Sequence, residues 1–103
     1  MLSISVPELQ QKLATGEDIQ LIDVRETWEH QAFNIGGNSF PLTSLFEHVH
    51  QIRKDKPVIV YCQKGIRSSI AIQRLIQRFH FSNLLNLTGG MEAWQKQKLS
   101  AEA

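Results

Sequence analysis

The chain of 103 residues holds one cysteine and three prolines, and its charge is nearly balanced, with 11 Lys and Arg against 10 Asp and Glu. A single thiol cannot close an internal disulfide, and beside four scattered histidines it makes no credible zinc set. His48 and His50 flank one residue, a spacing that on a helix sends them to opposite sides, so no metal site and no cofactor are expected. No apolar run approaches the ~20 residues that span a bilayer. The opening Met1-Leu2-Ser3-Ile4-Ser5 also lacks the basic and apolar regions of a secretion signal, and a cytoplasmic protein without membrane contact is expected. The cations Arg53, Lys54 and Lys56 are interrupted by Asp55, with no stacking aromatics between them. They read as a solvated edge, and no nucleic-acid partner is expected.

What is present is an ordinary globular composition, 42% hydrophobic and 20% charged, at a length that suits one domain over residues 1–103. The informative stretch runs from Pro57 to Ile72. The β-branched run Val58-Ile59-Val60-Tyr61 ends at Cys62; Gln63-Lys64-Gly65-Ile66-Arg67-Ser68 follows, and then a helical pattern begins. A strand turning directly into a helix aims unpaired backbone N–H groups, and the positive end of the helix dipole, at the space above its last residue. Such a cradle binds anions. Lys64 and Arg67 add charge, Gly65 allows unusual backbone angles, and Ser68 offers another hydrogen bond. The same surroundings favour the ionised form of a thiol, which makes Cys62 the candidate nucleophile. Taken alone, Cys62 also reads as a small hydrophobe ending a core strand. Its six neighbours favour the reactive reading, because a structural cysteine has no need of them.

Along the chain, Ser5-Val6-Pro7-Glu8 has the form of a capping box opening a helix, with Leu9 and Leu13 on one face and Gly16 as its stop. Ile19 to Val24 reads as a strand, placing Asp23 and Arg25 at its carboxyl end, and Trp28 to Ala32 as a short helix. Phe33 to Pro41 is irregular, with an edge strand near Asn38 to Phe40 and a core contact from Ile35. Leu42, Leu45, Phe46, Val49 and Ile52 repeat at three- and four-residue spacing, a helix ending near residue 53. In the helix after the central loop, Ile72, Leu75, Ile76 and Phe79 share one face. Leu84 to Leu87 is a strand, and Met91 to Gln97 a helix anchored by Trp94, with a frayed tail after Leu99. Trp28 reads as core or boundary packing, and Glu26, Glu29 and Glu92 as helix-end or solvated charges. His30 and His80 read as surface or partly packed residues. The order predicts an α/β domain with a mostly parallel sheet of about five strands, covered by helices on both faces. Ligands of such sheets bind beyond the carboxyl ends of the strands, where Asp23, Arg25, Cys62 and Thr88 fall.

Three segments, in this order, resemble the single-domain rhodaneses, a family of thiosulfate sulfurtransferases with a three-layer fold. They are Leu21-Ile22-Asp23-Val24-Arg25-Glu26 with Trp28-Glu29, then Val60 to Ser68, then Asn86-Leu87-Thr88-Gly89-Gly90-Met91-Glu92-Ala93-Trp94. The resemblance covers nearly the whole chain. It implies that Cys62 takes the outer sulfur of thiosulfate, or of another sulfane-sulfur donor, releases sulfite, and passes the sulfur from a persulfide to cyanide or a thiol. It further implies that the loop from Cys62 through Gln63, Lys64, Gly65, Ile66 and Arg67 cradles the persulfide. Lys64 would favour thiosulfate, and Asp23 and Arg25 would support the loop from the neighbouring strand. One departure stands out: where many members carry Gly-His-Ile-Pro-Gly-Ala, this chain has Phe33-Asn34-Ile35-Gly36-Gly37-Asn38, one residue shorter before Phe40-Pro41-Leu42.

Two other readings compete. A carrier that relays persulfide sulfur to a protein acceptor fits a lone cysteine without a resolving partner. A cysteine phosphatase or arsenate reductase would place five residues between cysteine and arginine. Only four separate Cys62 from Arg67, and the tighter loop suits a sulfur atom better than a phosphoryl group.

Overall fold

The computed structural model describes the backbone of residues 1–102 and the side chains of residues 1–98. Its centre is strand β4 (Val58–Tyr61), whose four residues are all buried, as a strand covered on both faces requires. β4 pairs in parallel with β2 (Gln20–Asp23) on one side and β5 (Leu84–Leu87) on the other. Two edge strands complete the sheet: β1 (Ser3–Ile4) beside β5, and β3 (Asn38–Ser39) beside β2. The order is β1-β5-β4-β2-β3, five strands and all parallel.

Side chains leave β4 alternately, so the strand feeds two cores. Val58, Val60 and Cys62 join Ile22, Leu45, Ile72 and Leu75 on one face, beneath α3 (Ile66–Phe79) and a 3-10 helix (Leu42–Gln51). Ile59 and Tyr61 join Leu9, Leu21, Leu87 and Met91 on the other, beneath α1 (Val6–Ala14) and α4 (Gly90–Glu102). The capping box that opens α1 is present in full: Glu8 N–H donates to the Ser5 hydroxyl, and Ser5 N–H to the Glu8 carboxylate. α2 (Thr27–Ala32) buries no side chain fully and lies at the carboxyl edge of the sheet, where His30 meets Asp23 and Glu29 meets Arg67.

Several expectations change. Residues 42–51 form a 3-10 helix, in keeping with apolar residues that recur mainly every third position. β1 is new; two residues carry no periodicity, and only pairing with β5 defines it. β2 and β3 are shorter than expected, β2 without Ile19 and Val24 and β3 without Phe40. Leu13 and Ile76 are exposed, because the buried stripes of α1 and α3 are narrower than the apolar spacing allows. Trp28 is not packed in the core or at its boundary: it is 70% exposed on α2, whereas Trp94 packs against the Ile59 and Tyr61 core. The last helix runs to Glu102, past the point where fraying is expected, and Ala103 lies outside the described residues.

The shortened loop before β3 turns through Gly36 and Gly37, both at positive φ. A Cβ on Gly37 would stand 2.2 Å from the Leu21 carbonyl oxygen, so only glycine lets the chain pass this close to β2. Asn34 Oδ1 accepts the Gly36 N–H, the Tyr61 hydroxyl donates to the Gly36 carbonyl, and Ile35 reaches the core.

Candidate active site

Cys62 follows β4 directly, and α3 begins four residues later at Ile66. Gly65, at φ 94°, makes the reversal that lets so short a loop reach the helix, and its N–H donates to Cys62 Sγ at 3.1 Å. Ser68 N–H donates to the same sulfur at 3.3 Å, and Ser68 Oγ lies 3.3 Å from it. The sulfur therefore sits at the positive end of α3 with two backbone dipoles aimed at it. Cys62 is also buried, 1% exposed, with its residue packed among the Val60 and Ile72 core. The expected bowl is present but closed over its sulfur.

Two further elements hold the loop. Asn86, the one polar side chain in β5, accepts the Ser68 hydroxyl at Oδ1 and donates from Nδ2 to the Gly65 carbonyl at 3.1 Å. At the start of α4, Met91 N–H and Glu92 N–H donate to the carbonyls of Cys62 and Gln63, each at 2.9 Å. The orphan donors of one helix thus anchor the loop that begins another. This docking needs Gly90, where a Cβ would meet the Cys62 carbonyl oxygen at 2.3 Å.

The expected site residues separate into groups. Cys62, Gly65 and Ser68 converge on the sulfur. Gln63 is half-buried and contributes its carbonyl. Lys64 is exposed, with no acceptor for its ammonium among the described residues, and Ile66 is 66% exposed at the rim. Arg67 is engaged elsewhere: Nη1 and Nη2 donate to Oε1 and Oε2 of Glu29 on α2, at 2.7 and 3.1 Å. Glu29 is the helix-end charge expected, its carboxylate accepting the Glu26 N–H at the start of α2, but it is not a solvated one. Its side chain is 15% exposed, that of Arg67 35%. Hydrogen bonds from Arg67 hold the Glu29 carboxyl below its usual range, despite some burial, and Glu29 in turn raises Arg67.

Asp23 and Arg25 make no hydrogen bond or ion pair with the loop among the described residues. They form a buried pair, with Arg25 Nη2 2.8 Å and Nε 3.0 Å from the Asp23 carboxylate. Burial disfavours the Arg25 charge, but the hydrogen bonds and charge of Asp23 outweigh it and raise its pKa. His30 Nδ1 lies 2.9 Å from Asp23, Arg25 Nη2 donates to the Phe33 carbonyl, and the guanidinium carbon stands 5.9 Å from the centre of the Tyr61 ring. Burial, then the charge of Asp23, pushes the Tyr61 hydroxyl pKa up. The cluster holds the C-terminal half of α2, and α2 carries Glu29 to Arg67.

Sequence reasoning missed Glu29, Asn86 and Gly90 as parts of this site. Asn86 had a visible signal, an amide inside the apolar run Leu84-Leu85-Asn86-Leu87. Glu29 had none, since its partner lies 38 residues away.

Comparison with known proteins agrees with this arrangement. Residues 5–97 match the rhodanese-like domain family. The chain is 42% identical over 76 residues to the protein YqhL of Bacillus subtilis, covering 73% of this chain and 60% of that one. It is 30% identical over 93 residues to the thiosulfate sulfurtransferase GlpE of Coxiella burnetii, covering 89% and 86%. The crystal structure of a rhodanese-like domain protein from Staphylococcus aureus superposes with a TM-score of 0.82 at 26% identity, covering 91% of each chain. Some relatives are longer, and the chain spans only 25% of one of them. The cysteine cradle, the parallel sheet and the match over residues 5–97 together place this chain in the rhodanese-like domain family.

Proposed function

We propose that residues 1–103 act as one domain that transfers sulfane sulfur from thiosulfate, through a persulfide on Cys62, to cyanide or another thiophilic acceptor. The observation that carries this reading is the pair of N–H groups, from Gly65 and Ser68, directed at a lone sulfur. Transfer brings a dianion to a thiolate, and fixed dipoles with a nearby cation offset the repulsion. The Cys62 thiolate attacks the outer sulfur; the S–S bond of thiosulfate breaks, and sulfite leaves with the electron pair. The acceptor then attacks the outer sulfur of the persulfide, and Cys62 departs as thiolate. Lys64, exposed in the loop that follows Cys62, supports this reading as a cation available to the incoming anion. The N–H groups of Gly65 and Ser68 stabilise the sulfur as thiolate, the form that attacks and the form that leaves. Because Cys62 is buried, the loop must yield outward for the donor to reach it. A reducing, cytoplasmic setting would keep the thiol available.

A second reading, relay of the sulfur to a protein acceptor, is favoured by exposed Trp28 and Ile66. Each is the sequence neighbour of one partner of the Glu29–Arg67 pair, and exposed apolar side chains of this size suit contact with a protein. No metal-ligating group of three occurs among the described residues, and no described helix is long and apolar enough to cross a membrane.

The test is intact-mass measurement after thiosulfate treatment, followed by assay with cyanide. The wild-type protein is expected to gain one sulfur and to release thiocyanate, and Cys62→Ser to do neither while keeping its circular dichroism spectrum. Turnover that survives Cys62→Ser would reject Cys62 as the nucleophile. Comparing cyanide with protein thiols as acceptors separates catalyst from relay.

A further inference from the structure

Of the two loop cations, only Lys64 is without a carboxylate partner among the described residues. Arg67 is the nearer in sequence to Ser68, and its charge is met in full by the two oxygens of Glu29. This pairing is built rather than incidental. Glu29 Oε1 also accepts the Glu26 N–H at 3.1 Å, which fixes its rotamer at the start of α2, and α2 itself is fixed through His30 and Phe33. The arginine therefore cannot turn toward an anion above Cys62 without breaking a bidentate ion pair.

We propose that Glu29 is a specificity-determining residue: by neutralising Arg67 at the mouth of the cradle, it disfavours dianionic sulfane donors such as thiosulfate relative to alkyl persulfides. The inference rests on the sulfurtransferase reading and deepens it by naming the donor class. With an alkyl persulfide, the Cys62 thiolate attacks the terminal sulfur and the S–S bond breaks. The alkyl thiolate leaves with the electron pair, and Cys62 is left as the persulfide. Charge is conserved, as it is with thiosulfate, and no oxidant or reductant is needed. The two donors differ in what approaches the cradle. Thiosulfate carries two negative charges that feel the Glu29 carboxylate, whereas a small alkyl persulfide carries one at most.

The test uses Glu29→Gln in the full chain. Glutamine keeps an acceptor for Glu26 N–H and removes the charge. Thiosulfate and mercaptoethanol persulfide are compared as donors, with cyanide as acceptor. The ratio of kcat/KM for thiosulfate over that for the persulfide is expected to rise about three- to tenfold in the variant, mainly through KM for thiosulfate. The rise should shrink as salt is added, a response that a purely structural role for Glu29 would not give. An unchanged or lower ratio, in a variant that melts within a few degrees of wild type, overturns the inference alone. If Gln is not tolerated, Glu29→Ala removes the same charge with a helix-favouring residue, and the same ratio decides. Wild-type protein that gains sulfur from neither donor overturns both the inference and the reading beneath it.

Discussion

Single residues at this site are dictated by space as much as by chemistry. Gly65 and Gly90 both adopt positive φ, yet for different reasons. A Cβ on Gly65 would find ordinary contacts, the nearest at 3.5 Å, so that position requires only the backbone angle. Gly90 requires the angle and the empty space, because its Cβ would collide with the Cys62 and Gln63 carbonyls that α4 docks upon. Gly16 also has positive φ but faces open solvent. Gly90→Ala is therefore expected to cost about 2–4 kcal/mol and most of the activity. Gly16→Ala should cost about 1 kcal/mol and leave turnover intact. Urea unfolding and thiocyanate assays of the two variants check this, and equal effects would mean that the α4 docking does not shape the loop.

Among the elements, α2 is the one held by charge instead of packing. It buries no apolar side chain fully, and its position depends on Asp23, which serves Arg25, His30 and the Arg25 N–H at once. Removing one side of a buried pair strands the other without water. Asp23→Asn leaves the Arg25 guanidinium buried beside a neutral amide. A loss of about 3–5 kcal/mol is expected, read as a lower urea midpoint at constant slope. A loss below about 1 kcal/mol would show that the Phe33 carbonyl and Tyr61 ring suffice for Arg25. Because α2 also delivers Glu29, the variant should weaken the grip on Arg67 as well. Its donor preference should move in the same direction as that of Glu29→Gln.

The whole molecule is two cores on opposite faces of one sheet, and β2, β4 and β5 each send side chains into both. Ile59 and Ile72 belong to opposite faces, but β4 contributes to both, so neither face can melt while the other keeps its wall. Ile59→Ala and Ile72→Ala are each expected to cost about 2–5 kcal/mol, a large part of the 5–15 kcal/mol typical of small domains. Both should shift a single transition. Circular dichroism follows the entire fold, while fluorescence of Trp94 follows the α1 and α4 face; transitions that separate in either variant would reject the shared-strand account.

At this same scale, sequence and tertiary structure divide what is known about the protein. Local pattern was enough for β2, β4, β5 and the helices α1 to α4, because their apolar period, capping box and glycine stops act within a few residues. It was also enough for the turn that sets the Gly65 and Ser68 N–H groups on Cys62, since one strand, one short loop and one helix start lie within 16 residues of chain. Local pattern could not give β1, which exists only through pairing with β5, or the exposure of Trp28 and Ile76, which depends on what other elements cover. Nor could it give the placement of Glu29 against Arg67, or of Asn86 against Ser68 and Gly65. Those contacts join residues far apart along the chain. Their partners are chosen by how the sheet stacks its strands, and a charge or an amide carries no sign of its distant partner until the fold brings the two together.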